Sequence, residues 1–195
     1  MKRPEPTRIH AIDDRLIYVY DELFSPEQVA NFAHIVMQLD YERRPSFDRE
    51  LSAAIDSSMF RAAPFLFPTT EAILSAAREP FALCDPSVGL SHVYAAAIAS
   101  NACGTVHTDT THPQALTFLY YANPSWRAGW GGETVFYDSE GDAMIVVTPR
   151  PGRLVAFHSN ILHRAGIPHP DAPTHRYTVS VFYYAECARA KAAAA

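Results

Sequence analysis

Short, mainly apolar runs of the kind that forms β-strands dominate the second half of the chain. They cover residues 91–98, 115–121, 133–137, 143–147, 153–158 and 177–184. Their length and their content of β-branched and aromatic residues predict β-strands, and the last run also shows the period of two of a strand. Gly, Pro, Asp and Asn separate the runs. Short strands at such spacing are typical of an all-β sandwich or barrel, and their number and size fit a double-sheet jelly roll.

A strand and a helix are predicted near the start of the chain. Residues 15–20 alternate and are rich in Ile, Tyr and Val, which favours a strand. Ser25 is a good N-cap, Pro26 suits the first helical position, and Gln28 completes a capping box. The apolar residues that follow recur at steps of three and four positions: Val29, Phe32, Val36 and Leu39. We expect this helix to support the outside of a sheet.

The pattern as a whole predicts a single domain with three regions. No internal repeat or linker divides the 195 residues. Residues 1–90 should contain the first strand, the supporting N-terminal helices and loops on the substrate side. Residues 91–186 should form the jelly-roll core, and residues 187–195 a C-terminal tail. Within the first region, residues 41–67 are irregular and rich in proline, and residues 71–77 predict a short second helix.

Composition and charge narrow the possible partners. The 16 basic and 21 acidic residues give a net charge of −5. The basic residues are scattered, whereas nucleic-acid binding needs a clustered basic surface, so we expect no nucleic-acid partner. Three cysteines, Cys84, Cys103 and Cys187, fit neither a disulfide framework nor a cysteine-rich zinc site. Without a signal peptide or an apolar run of roughly eighteen residues, we expect a cytoplasmic protein with no membrane partner.

Candidate metal ligands and a candidate anion-binding residue lie in the predicted core. His107 and Asp109 form a His-Thr-Asp motif, and His163 and Arg176 follow downstream. On a strand, His107 and Asp109 would project to the same face, and a different strand, residues 152–158, could bring His163 to them. Two imidazoles and one carboxylate, with coordination positions left open, suit a non-haem Fe(II) oxygenase. The planar fork of Arg176 could hold a carboxylate by two hydrogen bonds.

The residues around this constellation resemble one enzyme family. The resemblance is carried, in order, by Leu-Thr-Phe-Leu-Tyr-Tyr-Ala-Asn at 116–123, Trp126, Gly-Gly-Glu-Thr at 131–134, Gly-Arg-Leu at 152–154 and Arg-Tyr-Thr-Val-Ser-Val-Phe-Tyr at 176–183. These motifs resemble the 2-oxoglutarate- and Fe(II)-dependent dioxygenases, in their prolyl-4-hydroxylase-like branch. The likeness covers about residues 91–184. It implies a mainly β protein, a double-stranded β-helix (jelly roll) with supporting N-terminal helices.

The resemblance implies that His107, Asp109 and His163 bind the catalytic Fe(II). In the family the distal histidine follows a strand and a short turn, which favours His163 over His158. We expect His158, at the end of the predicted strand, to line the pocket. His112 is a weaker candidate because a loop residue so close to Asp109 would crowd one side of the metal. The other histidines carry no comparable signal: His10, His34, His92, His169 and His175.

The resemblance also implies a set of residues that bind 2-oxoglutarate. Arg176 matches the family's arginine for the distal carboxylate, and Tyr121 matches a tyrosine that donates its hydroxyl to the same group. Thr117 and Thr178 could add hydroxyl contacts, whereas the Gly131-Gly132 pair is interpreted only as a turn. A buried carboxylate requires such partners because an unpaired charge in a pocket of low dielectric constant is costly. Ascorbate is an optional accessory reductant.

The implied reaction consumes O₂ and 2-oxoglutarate, releases succinate and CO₂, and hydroxylates a C–H bond. Related halogenases replace the ligating carboxylate with Gly or Ala so that chloride can bind iron, so Asp109 favours hydroxylation. The substrate stays open between a peptidyl proline, a free amino acid and a small natural product. Residues 41–93 and the loops at 110–114 and 165–175, which should shape the substrate entrance, match no known pattern.

Two other classes of protein compete with an oxygenase. A non-catalytic cupin-like jelly roll that binds a metal or a sugar would share the histidines but would not need Arg176 and Tyr121 on inner strands. A zinc hydrolase would need an activated water and a dedicated base. An anaerobic visible charge-transfer band with Fe(II) and 2-oxoglutarate would separate the oxygenase from both.

Overall fold

The structure, a computed structural model, is antiparallel β with helices near the N-terminus, and it describes residues 4–43, 50–55, 65–100, 102 and 104–185. The helices among these residues are α1 (Pro26–Met37) and α2 (Leu66–Ala77), with a short 3-10 helix at Ala128–Trp130. The described strands are β1 (Arg8–Ile12), β2 (Arg15–Tyr20), β3 (Glu42–Arg43), β4 (Glu50–Ile55), β5 (Gly89–Ile98), β6 (Ala115–Tyr121), β7 (Thr134–Tyr137), β8 (Ala143–Val147), β9 (Leu154–His158), β10 (Leu162–Ala165) and β11 (Arg176–Tyr184).

These strands form two antiparallel sheets. The larger has the order β1-β2-β9-β6-β11-β5-β4-β3, and the smaller has the order β10-β7-β8. The sheets pack together through aromatic and aliphatic side chains, including Phe136 of β7 and Phe157 of β9, whose ring centroids are 5.0 Å apart. The helices cover the other face of the larger sheet. The predicted mainly β architecture with supporting helices is confirmed.

Strand β6 contributes side chains to two hydrophobic cores, one on each face of the larger sheet. All of its residues are buried. Leu116, Phe118 and Tyr120 belong to the core beneath the helices. Leu119 and Tyr121 belong to the core between the two sheets. This alternation follows from the period of two in a strand, and it gives the larger sheet a helix face and an inner face with different environments.

Helix α1 forms as predicted. The Oγ of Ser25 accepts from the backbone N–H of Gln28 at 3.2 Å, and the side chain of Gln28 accepts from the backbone N–H of Ser25 at 2.8 Å. This reciprocal capping box satisfies two donors at the helix start. The predicted apolar stripe is buried at Val29, Phe32 and Val36, and the last two belong to the core that joins the helix to the larger sheet.

Helix α2 is longer than the predicted segment 71–77. It begins at Leu66, and its first turns bury Leu66, Thr69 and Thr70. Pro68 is the third residue of this helix. A proline in the first turn is tolerated because the N–H groups there have no partner within the helix.

The prediction that residues 41–67 are irregular is wrong in part. Strands β3 and β4 lie there, and β4 pairs with β5 from Glu50↔Ile98 to Ile55↔Val93. The sequence also failed to indicate β1 and β10, which are short. Strands β1 and β2 extend the same sheet as the core strands. The predicted tail at 187–195 lies outside the described residues.

Neither described helix combines the length and hydrophobicity that a membrane-spanning segment requires.

Candidate metal centre

His107, Asp109 and His163 converge on one point. The Oδ1 atom of Asp109 lies 3.6 Å from Nε2 of His107 and 3.7 Å from Nε2 of His163. The candidate ligand atoms all lie within 4.8 Å of one another. In the part of the chain that the structure describes, no other group of three His, Cys, Asp or Glu side chains has this geometry.

A single backbone bridge, rather than a strand, brings the two candidate histidine ligands together. His107 donates its N–H to the carbonyl of His163 at 3.0 Å, and His163 donates in return at 2.9 Å. Asp109 follows in a bend, where its N–H donates to the carbonyl of Ser159 at 2.9 Å. The prediction that His107 and Asp109 lie on one strand is therefore wrong. His163 follows β9 and a short turn, as predicted, and it lies on β10 in the smaller sheet.

Backbone carbonyls orient both imidazoles. Nδ1 of His107 lies 2.8 Å from the carbonyl of Thr105, and Nδ1 of His163 lies 2.9 Å from the carbonyl of Ile161. Because a carbonyl only accepts, each Nδ1 is the donor, and each Nε2 presents a lone pair towards Asp109. Lone pairs directed at a carboxylate oxygen repel one another unless a cation lies between them. The donor set therefore fits a bound divalent metal ion.

Thr117 fixes the carboxylate of Asp109. Its hydroxyl donates to Oδ2 of Asp109 at 2.6 Å, which leaves Oδ1 facing the two imidazoles. The Oγ1 of Thr117 also lies 2.8 Å from the Oγ of Ser159. The sequence suggested that Thr117 contacts the co-substrate, and that role stays a prediction.

The protonation states in this cluster suit metal binding. Burial tends to raise the pKa of the Asp109 carboxyl, but nearby His163 and His107 and the hydrogen bond from Thr117 outweigh it and hold that pKa below its usual value. Burial lowers the pKa of His163, against the opposing effect of Asp109. An ionised carboxylate and a neutral imidazole are the forms that bind a divalent metal.

The same cluster opens onto a cavity between the sheets. Its polar and charged lining residues include Tyr94, His107, Asp109, Thr117, Thr134, His163, Arg176, Thr178 and Ser180. Arg176 is only 2% exposed. Its Nε donates to the carbonyl of Gly132 at 2.6 Å, its Nη2 donates to Oγ1 of Thr134 at 2.9 Å, and its guanidinium lies 5.2 Å from the ring centre of Tyr121. Among the described residues, no carboxylate pairs with it.

The other predicted co-substrate residues differ in position. Thr178 lines the cavity, whereas Tyr121 does not. The hydroxyl of Tyr121 lies 2.7 Å from Oγ1 of Thr134 and donates towards the carbonyl of Val147 at 3.2 Å. Direct contact between Tyr121 and the co-substrate stays a prediction.

Three of the polar lining residues were not predicted: Tyr94, Thr134 and Ser180. Ser180 lies two positions beyond Thr178 on the same strand, and β5 pairs Tyr94 opposite it. The period of two could have indicated Ser180 from Arg176 and Thr178. Thr134 and Tyr94 required the register between strands, which no local pattern contains.

The prediction that His158 lines the pocket is wrong. His158 continues the positions of Leu154 and Ala156 on the helix face of β9. Its Nδ1 accepts from the backbone N–H of Leu16 at 2.9 Å, and its Nε2 lies 3.0 Å from the carbonyl of Phe81. Both ring nitrogens are therefore engaged in joining β2 to the segment after α2.

The comparisons with known proteins agree with this geometry. A sequence model described as the 2OG-Fe(II) oxygenase superfamily matches residues 93–184. None of the curated proteins compared with this sequence matches it. Similar solved structures include a prolyl-4-hydroxylase from Pseudomonas putida, with 15% identity, a TM-score of 0.67, and 87% and 92% of the two chains covered.

Two further structures extend the comparison. The 2OG complex of a viral collagen prolyl hydroxylase from Paramecium Bursaria Chlorella virus-1 has 13% identity and a TM-score of 0.64, covering 87% of this chain and 96% of that one. HygX from Streptomyces hygroscopicus, with nickel, 2-oxoglutarate and hygromycin B bound, has 13% identity and a TM-score of 0.62, covering 87% and 83%. The predicted double-stranded β-helix is confirmed. Residues 93–184, just under half of the chain, thus match the 2OG-Fe(II) oxygenase superfamily, whose enzymes use Fe(II) and 2-oxoglutarate.

Proposed function

We propose that this enzyme hydroxylates an unactivated C–H bond of an amino acid, a peptidyl proline or a small natural product. His107, Asp109 and His163 hold the Fe(II), and Arg176 holds the distal carboxylate of 2-oxoglutarate. When bound, the metal and its co-substrate supply the oxidative chemistry, in which decarboxylation to succinate accompanies oxidation of the substrate by O₂. The protein supplies binding, orientation and a partly enclosed site.

The observation that carries this proposal is a buried arginine without an acidic partner, in the same cavity as the metal-binding cluster. A guanidinium in the interior is stabilised when an anion compensates it and is costly otherwise. In the described part of the chain, the acceptors within reach of Arg176 are neutral, the carbonyl of Gly132 and the hydroxyl of Thr134. A ligand carboxylate would provide the missing negative charge through charge-assisted hydrogen bonds.

The surrounding residues would hold the reacting groups in fixed positions. Thr117 keeps one oxygen of Asp109 occupied, so that the other oxygen faces the two imidazoles. Apolar side chains complete the cavity wall: Ala96, Ile98, Leu119 and Phe157. Such a wall limits water near the metal and strengthens electrostatic contacts inside the site.

Asp109 supports hydroxylation over halogenation. Its carboxylate oxygen faces both imidazoles, so it would occupy the coordination position that a halide needs. His107, Asp109 and His163 would hold the iron, and the iron with bound 2-oxoglutarate would supply the chemistry that activates O₂.

Spectroscopy and product analysis test the proposal. Anaerobic Fe(II) and 2-oxoglutarate should give a visible charge-transfer band in the wild-type protein, and lack of the band contradicts the proposed co-substrate site. With its substrate, the enzyme should form succinate and product one-for-one, and under labelled O₂ with excess chloride the product should carry labelled oxygen. A chlorinated product would exclude hydroxylation.

The substrate search begins with proline-containing peptides and small natural products. Solved proteins of the same fold include prolyl hydroxylases and a protein with hygromycin B bound, and these names support both classes. Substrate-dependent stimulation of succinate release ranks the candidates. A substrate is accepted when the hydroxylated product is found by mass spectrometry.

A further inference from the structure

We propose that a groove on the helix face of the larger sheet binds a small organic cation that carries a methylated ammonium group. The groove lies between β1, β2 and the end of α2, and the metal-binding cluster lies on the opposite face of the sheet. Its volume is about 220 Å³. The residues that line it are Pro4, Glu5, Pro6, Ile9, Tyr18, Tyr20, Ala76, Ala77 and Pro80. The inference goes beyond the proposed function and depends on neither iron nor 2-oxoglutarate.

The groove forms where large side chains of the sheet meet small side chains of a helix. Tyr18 and Tyr20 are two positions apart on β2, so both project onto the helix face of the sheet. Across from them, α2 ends in Ala76 and Ala77, whose methyl groups fill little space. Sites for drug-sized ligands usually measure about 300–1,000 Å³. The smaller volume of this groove therefore suits a smaller molecule.

The two tyrosine rings favour a cation as the ligand. Their centroids lie 6.4 Å apart and their planes meet at 62°, so the rings form two walls at an angle. The face of an aromatic ring carries partial negative charge and attracts a cation within about 6 Å of the ring centre. The buried ring of Phe81 packs edge-to-face against Tyr18, with centroids 4.8 Å apart, and supports that wall from behind.

The charges around the groove have the sign that a cation requires. Glu5 is the one charged residue among the described residues that line it, and none of the salt bridges in the described part of the chain includes Glu5. The last carbonyl groups of a helix carry partial negative charge, and α2 has no basic residue in its last turn. Arg78, which follows this turn, donates to the carbonyls of Asp85 and Val88. A cation is therefore the complementary ligand.

The apolar walls favour a methylated ammonium group over other cations. A primary ammonium has three N–H donors, and burying such donors without acceptors costs free energy. A quaternary ammonium has no N–H group, and its methyl groups can pack against the alanine, proline and tyrosine side chains. A divalent metal ion would need several oxygen ligands, whereas the described lining offers one carboxylate.

Calorimetric titration of the whole chain with three matched molecules tests this inference. Choline carries a trimethylated ammonium, ethanolamine is the same molecule without the methyl groups, and 3,3-dimethylbutanol has the shape of choline without its charge. The titrations are repeated with Tyr18→Leu, which removes a ring, with Tyr18→Phe, which keeps it, and with Glu5→Gln. Glu140→Gln, on the exposed turn between β7 and β8, is the matched control for loss of a carboxylate. The melting temperature is recorded for every protein.

We expect choline to bind about tenfold or more tightly than either ethanolamine or 3,3-dimethylbutanol, because only choline combines the charge with methyl groups. Tyr18→Leu should weaken choline binding by about tenfold, whereas Tyr18→Phe should bind like the wild type. Glu5→Gln should weaken it by about two- to fivefold, since the side chain is exposed and its charge is screened by water. Glu140→Gln should leave the affinity unchanged.

Equal affinities for choline and 3,3-dimethylbutanol would overturn the inference, since the groove would then bind by apolar contact alone. Lack of saturable choline binding at millimolar concentrations would overturn it as well. So would wild-type affinity in Tyr18→Leu, which would place choline elsewhere on the protein. If Tyr18→Leu does not fold, the three ligands and Glu5→Gln still decide the question. Tight binding of a peptide with a trimethylated lysine, beside weak binding of choline, would assign the groove to a protein chain and overturn the assignment to a small ion.

Discussion

The two faces of the larger sheet are built from the same strands and are both buried, yet they have different chemistry. On β6 and β11 the helix face carries Phe118, Tyr120, Val179 and Val181, which fill a core with the helices. The inner face of the same strands carries Thr117, Arg176, Thr178 and Ser180 around the cavity. Burial therefore does not separate structural from functional positions here. What distinguishes structural from functional positions is whether the buried polar side chains form their hydrogen bonds and ion pairs within the protein.

Two buried arginines make this difference concrete. Arg153, with a side chain only 1% exposed, binds Asp21 through Nε at 2.7 Å and Nη2 at 3.1 Å, and its Nη1 donates to the carbonyl of Thr148 at 2.6 Å. Arg176 is as deeply buried but has no carboxylate among the described residues. The first arginine stabilises the fold by internal pairing. The second, by the same physical rule, needs a charge from a ligand.

The largest effect is expected from a comparison of two histidines on opposite sides of β9. Replacement of a hydrogen-bonding partner behind a metal ligand typically costs about 10–100-fold in metal affinity, and loss of a ligand itself should cost more. We therefore expect His163→Ala to lose iron binding and 2-oxoglutarate turnover, while His158→Gln keeps the iron stoichiometry. Iron analysis after desalting is the measurement. If His158→Gln lost iron and His163→Ala retained it, His158 and not His163 would be the iron ligand.

The two arginines should separate ligand binding from stability. Arg176→Gln should raise the dissociation constant of 2-oxoglutarate by about thirtyfold or more, as expected when one side of a buried charged pair is removed. Arg153→Gln should leave that constant unchanged but lower the free energy of unfolding by about 3 kcal/mol, because Asp21 loses its buried partner. Calorimetric titration and urea unfolding measure the two quantities. If both variants lost stability to a similar extent and neither changed the affinity for 2-oxoglutarate, Arg176 would be a structural residue like Arg153.

The sequence indicated the candidate metal ligands more clearly than the residues around them. His107, Asp109, His163 and Arg176 belong to motifs with recognisable residue types and order. Thr134 could not be identified in the same way, since a threonine at the start of a strand is ordinary and its contacts depend on register with distant residues.

The errors in the predicted fold have physical causes too. The runs at 15–20, 115–121 and 143–147 became strands with those bounds, because their alternation or composition was uninterrupted. Strand β10 has only four residues, too few to show a period. His158 was misplaced because a strand end predicts the position of a residue but not the face that meets the cavity.

Two glycines with left-handed backbones, Gly132 and Gly141, can test whether crowding of Arg176 weakens co-substrate binding. Gly132 has φ +73°, and a Cβ there would lie 3.1 Å from Cδ of Arg176 and 3.3 Å from the ring of Trp126. Gly141 has φ +90° and no atom within 4 Å of the corresponding position. Substitution by alanine should therefore strain both backbones by about 1–2 kcal/mol, but crowd the arginine only at Gly132.

We expect Gly132→Ala to weaken 2-oxoglutarate binding by about two- to tenfold, which corresponds to a modest displacement of the arginine side chain from its preferred rotamer. Gly141→Ala should lose similar stability and keep the wild-type affinity. Titrations with the co-substrate, alongside melting curves, test both statements. Equal affinities in the two variants would mean that Arg176 adapts without cost.

The smallest effect concerns the pH dependence of stability on the helix face. Burial, with a contribution from Arg15, lowers the pKa of His158 below its ordinary value of 6.5, against the effect of the hydrogen bond to the carbonyl of Phe81. The unfolded chain therefore takes up a proton near pH 6.5 that the folded protein excludes. The contribution of neutral His158 to stability is complete above that pH and is lost progressively as the pH falls towards the folded-state pKa.

Urea unfolding of metal-free wild-type protein and His158→Gln at pH 7.5 and 5.5 should reveal the pH-dependent contribution of His158 to the free energy of unfolding. The other titrating groups, including the metal ligands, are common to both proteins and cancel in the difference between them. We expect the stability advantage of the wild type to shrink at the lower pH. A constant or growing advantage would mean that His158 accepts its proton in the folded state, and that its ring nitrogens are not closed to solvent as the helix-face geometry requires.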